Sequence, residues 1–148
     1  MSILQAATTS FKVELLQGVH NFGPTTPNTF KIALYTATAN LDATTTIYTA
    51  TNEVVGTGYT AGGNTLVIST SPTSGNNSAN IPTAFVSFSN TSWVSSTITA
   101  RGALIYNSTQ GNKSVAVLDF GADKTTANTT FLITFPSADA SSAIVRIS

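Results

Sequence analysis

The chain has 148 residues, no cysteine, six Lys and Arg against six Asp and Glu, and charged residues at only 8% of its composition. That length fits one domain able to bury a core unaided, and the lack of cysteine excludes disulfides, thiolate metal sites and thiol nucleophiles. A formal net charge of zero, with Lys12, Lys31, Arg101, Lys113, Lys124 and Arg146 scattered rather than clustered, excludes the long-range field that holds nucleic acid or an anionic membrane.

Polarity comes mainly from Ser, Thr and Asn, so little repels one copy from another, and such a surface suits a protein that works assembled. The opening stretch MSILQAATTSFKVELL has no basic region and no long apolar run, and no segment reaches the ~18 apolar residues of a membrane span. Synthesis and assembly in the cytoplasm are therefore expected.

Residues 1–9 read as an N-terminal arm, with MSILQAATTS as a docking segment. Residues 10–20 read as a short helix: Thr9 or Ser10 can cap it, and Phe11, Leu15 and Val19 recur every four residues. Gly18 weakens its last turn, and Gly23-Pro24 closes it off.

The period then changes to two. FKIALY (Phe30 to Tyr35) puts Phe30, Ile32 and Leu34 on one face, with Lys31, Ala33 and Tyr35 on the other. Further strands are predicted over Thr65 to Ser69, Ala84 to Ser89, Thr97 to Asn107, Ser114 to Phe120, Thr130 to Phe135 and Ala143 to Ile147. Weaker strands are expected at Thr46 to Thr49 and Glu53 to Val55, and Ser71 to Asn80 reads as an exposed loop. Short β-branched runs without crossover helices predict a single mainly β domain over 1–148, an antiparallel β-sandwich of jelly-roll-like type with one short N-terminal helix.

The glycine-rich GTGYTAGG (Gly56 to Gly63) invites a phosphate-loop reading. A dinucleotide fingerprint needs a helix after the glycines, and here the strand-like NTLVIS follows; no Gly-Lys-Ser/Thr closes a Walker loop either. The glycines are expected to be turn residues.

His20, the single histidine, has no Ser-centred elbow or second histidine to work with, and is expected to contact the helix C-terminus. Asp119 and Asp123 bracket a glycine turn, a weak pattern for calcium. Glu14, Asp42, Glu53 and Asp139 show no spacing that makes an acid/base pair. Trp93 with Tyr35, Tyr48, Tyr59 and Tyr106 could form a sugar platform, although such residues more often fill a core or interface. No catalytic residue, cofactor or metal site is expected.

Taken in order, GVHNFG, FKIALY, GTGYTAGG, ARGALIYN, VAVLDFG and FPSADASSAIVRIS resemble a family of small proteins of tailed-phage genomes and viral metagenomes, over nearly the whole chain from Phe11 onward. The resemblance implies a non-enzymatic virion structural protein, and no catalytic motif comes with it. The expected role is a capsid decoration or cement protein of the head shell. The alternatives are a tail or neck adaptor or fibre-associated subunit, and a carbohydrate-binding β-module. The expected partners are further copies of itself, with a trimer as the guess, and virion proteins such as the major capsid protein.

Overall fold

The computed structural model describes residues 2–148 and is mainly β, with two antiparallel sheets and one short helix, a β-sandwich. The chain runs β1 (Ala6–Ala7), α1 (Thr9–Leu16), β2 (Phe30–Tyr35), β3 (Asn64–Thr65), β4 (Ile68–Asn76), β5 (Pro82–Phe88), β6 (Thr91–Asn107), β7 (Lys113–Ile133) and β8 (Val145–Ile147). One sheet has the order β1-β7-β6-β2-β3 and the other β4-β5-β8.

β2 forms over the residues its alternation predicts, but both of its faces are covered. Phe30, Ile32 and Leu34 enter the main core, which the second sheet closes with Val86, Phe88 and Val145. Ala33 and Tyr35 enter a smaller apolar layer on the far face, with Leu104, Tyr106 and Val117. Ile3, Ala39 and Leu41 roof that layer. At about 1.5–3 kcal/mol per buried large aliphatic side chain, this second layer is a substantial part of the fold.

The N-terminal segment forms part of this roof rather than a free arm. Ile3 is buried, the Leu4 amide donates to the Leu41 carbonyl, the Leu41 amide donates to the Ser2 carbonyl, and Ala6–Ala7 pair with β7. Removing residues 1–10 would therefore strip a core layer as well as any docking segment.

The helix covers eight residues and stops at Leu16, four short of the expected end. Gly18 adopts φ +72°, its amide donates to the Leu15 carbonyl, and the Val19 amide reaches back to the Glu14 carbonyl. That pattern closes a helix on a left-handed glycine, so Gly18 lies just past the end rather than inside the last turn. Thr8 occupies the cap position, yet its hydroxyl bonds Ser114 Oγ and the Val115 carbonyl, tying the helix start to β7 instead of capping it.

The expected strand over Thr65 to Ser69 divides between the sheets. β3 pairs with β2, while β4 begins at Ile68 and pairs with β5. The expected exposed loop after it is largely strand, since β4 runs to Asn76 and only Asn77 to Asn80 make the turn. β4 is an outer strand whose residues are mostly exposed, so it lacks the apolar alternation that reveals a strand. Likewise the two expected strands after Asn112 are one strand, β7, joined by a Thr-rich exposed middle.

The edges of β4 and β7 are interrupted. The β4 pairing shifts register between Thr70 and Thr73, around Pro72. On β7 the register runs from Gly102↔Asp119 to Ala100↔Lys124, so that Phe120 to Asp123 bulge opposite Arg101. Asn128 then takes φ 50°. Bulges and proline are how exposed edges avoid adding further strands.

Candidate functional site

GTGYTAGG is a turn assembly, as its composition suggests. Gly58, Gly62 and Gly63 have φ of 80°, 90° and 67°. Gly63 presses against the Ile32 carbonyl where a β-carbon would overlap it. What fixes the loop is Glu53, a buried carboxylate that sequence spacing does not single out.

Glu53 Oε1 accepts from the Tyr59 hydroxyl (2.6 Å) and the Gly62 amide (2.7 Å), and Oε2 accepts from the Tyr48 hydroxyl (2.7 Å). Tyr59 in turn accepts the Leu34 amide at 2.9 Å, and the Tyr106 hydroxyl donates to the Gly62 carbonyl at 2.7 Å. Tyr48 stacks on Tyr106 at 4.6 Å between ring centroids. Burial first, then the adjacent Glu53 charge, pushes the Tyr106 hydroxyl up to about 12. Tyr35, Tyr48 and Tyr59 are also held above the usual phenol range, mainly by burial. The tyrosines thus organise a loop from within, in the interior role such residues more often take.

Trp93 is buried too, packing against Tyr59 and Phe131, and its indole N–H has no hydrogen-bond partner. With it inside, the indole face is not free to stack on a sugar.

The second polar cluster joins three segments. His20, whose side chain is fully enclosed, bonds Glu14 Oε2 through Nε2 at 2.8 Å, while Lys113 Nζ donates to Glu14 Oε1 at 2.8 Å. On the other side of the ring, Asn107 Nδ2 lies 3.0 Å from Nδ1 and also donates to Asn28 Oδ1. The Gln110 amide donates to Asn107 Oδ1, which orients that side chain with its NH₂ group toward the ring. Nδ1 therefore accepts and Nε2–H donates to Glu14. Burial works to raise the Glu14 carboxyl, but the bonds from Lys113 and His20 together outweigh it and hold the group below the usual range. Both ring nitrogens are committed, and the histidine links the helix to the β6–β7 turn.

Asp119 and Asp123 both face Arg101, at 3.6 and 3.7 Å, across the β7 bulge. Asp42 accepts from the Thr44 amide and hydroxyl, and Asp139 from the Ser141 and Ser142 amides, so both fold turns. Among the described residues no group of three or more His, Asp or Glu side chains is placed to hold a metal ion.

Neither polar cluster has a local sequence signature, because the Glu53 loop meets Tyr106, and Glu14 on the helix meets Lys113 on β7, only through tertiary packing. No protein-family model, curated protein or solved structure matches the chain.

Proposed function

We infer that the chain is a non-enzymatic structural protein of a tailed-phage virion, acting as a capsid decoration or cement protein that stabilises the head shell. The observation that carries this reading is the character of the surface. Charged residues are 8% of the chain, while large apolar side chains such as Leu16 (92% exposed) and Ile147 (55% exposed) stand in solvent. A neutral surface with exposed apolar groups is suited to being covered by a neighbour. The two polar clusters serve the fold from inside, and the resemblance of the segments from GVHNFG to FPSADASSAIVRIS points the same way.

Pairing of the β4 and β7 edges between copies is not the favoured contact, because Pro72 and the β7 bulge interrupt them. Side-chain burial takes its place. The test is mass spectrometry and cryo-microscopy of purified particles, with the chain expected at an abundance near that of the major capsid protein. Absence from the particle would sink the reading, and about a dozen copies or fewer would move it to a tail or neck ring.

A further inference from the structure

We propose that the trench between helix α1 and strand β8 is the surface that docks on the particle, and that its occupant is an apolar segment carrying a carboxylate, contributed by another virion protein. This rests on the virion reading above.

The trench has a volume of about 630 Å³, with Phe11, Leu15 and Leu16 of the helix on one side and Ile144, Val145 and Ile147 on the other. A second depression shares Leu15, Val145 and Ile147 with it and continues over Phe85 and Pro72, so the apolar floor extends across the second sheet. Leu16 at 92% and Ile147 at 55% exposure are apolar groups that the fold itself leaves uncovered.

Charge indicates the occupant. The only charged side chains lining the trench are Lys12 and Arg146, both cationic, and among the described residues neither forms an ion pair. Every carboxylate side chain of the two polar clusters and the β7 bulge is already engaged elsewhere. An incoming segment with apolar side chains for the floor and an Asp or Glu for the cations would meet a complementary surface. A second copy fits less well, since outside those bonds it offers only Asp42 and Asp139, and both already hold their own turns.

The test uses the full chain and particles assembled from a genome in which its coding sequence is deleted. The variants are the Leu16→Ser and Ile147→Ser pair and the Lys12→Glu and Arg146→Glu pair, with Val55→Ser as a control at an exposed apolar site outside the trench. Each trench pair should weaken particle binding about tenfold or more with thermal unfolding unchanged, and the control should bind as the unaltered chain. Undiminished binding by both trench pairs would overturn the trench assignment while leaving the virion reading intact. Loss of self-association by the trench pairs, with particle binding retained, would overturn the assigned occupant. Failure of the unaltered chain itself to bind would overturn the virion reading and this proposal with it.

Discussion

Replacing Glu53 tests how the GTGYTAGG loop is held. Its carboxylate receives three hydrogen bonds of 2.6–2.7 Å, and among the described residues no cation lies within ion-pair distance of it. In Glu53→Ala the Gly62 amide and the Tyr59 hydroxyl lose their acceptor inside the protein, while half-buried Tyr48 can turn toward water. At about 1–3 kcal/mol for each unsatisfied buried group, plus the space left behind, the loss should be about 3–5 kcal/mol. A domain of this size shifts by roughly 2–4 °C per kcal/mol, so Tm should fall by roughly 6–20 °C. Glu53→Gln keeps an oxygen for Tyr59 and Gly62 and lets Tyr48 reverse its bond, so about 1–2 kcal/mol should go. Urea unfolding followed through Trp93, the single tryptophan, measures both variants. A Glu53→Ala loss below about 1 kcal/mol, or equal losses for both variants, would show that accepted hydrogen bonds do not hold this loop.

The depressed Glu14 carboxyl contributes stability that is present above its unfolded-state value and lost as pH falls through the folded one. Glu14→Gln should accordingly lower Tm at pH 7 by a few degrees, with the difference closing in acid, which a thermal series against pH will show. The four tyrosines, raised in the folded state, contribute stability that is complete below about pH 10 and lost as pH rises further. Absorbance titration of phenolate should thus show little ionisation before alkaline unfolding, and a normal phenol titration in the folded protein would contradict the cluster. Gly63→Ala should destabilise by more than about 3 kcal/mol, or prevent folding, because φ 67° and the Ile32 carbonyl both oppose a β-carbon; circular dichroism and urea unfolding check it.

The most legible parts of the sequence were those whose burial is strongly patterned. FKIALY alternates large apolar residues on one face, Phe30, Ile32 and Leu34, and its strand begins and ends where the alternation does. The middle of β7, from Gly121 to Thr130, carries no such signal because its residues are exposed and its partner lies on one side alone. Ile3 illustrates the converse: a short apolar pair, Ile3-Leu4, without periodicity reads as an arm, although Ile3 fills a core layer against Gly102 and Leu41. Phe11 and Leu15 suggested the helix, but the run of four-residue spacings continued past Gly18, where the backbone had already turned left-handed. Glu53 and the Glu14–His20 pair were named only as isolated titratable residues: Glu53 meets its tyrosines through tertiary contacts, and His20 reaches Glu14 only because the helix closes at Gly18. The sparse charge of the surface, which carries the functional reading, is legible from composition alone.

The trench also sets an order of events. Its walls come from Thr9–Leu16 and Val145–Ile147, near opposite ends of the sequence, whereas β6 and β7 are joined by the short turn after Asn107. Local pairings close cheaply and early, while distant ones bear the entropy of a long loop and close late. The β6–β7 hairpin should therefore form well before the trench exists. Surface hydrophobes that sit on early hairpins are displayed throughout folding, but the Leu16–Ile147 surface becomes a single patch only when the last strand is seated. A partner that recognises both walls would distinguish finished molecules from folding intermediates without any separate proofreading component.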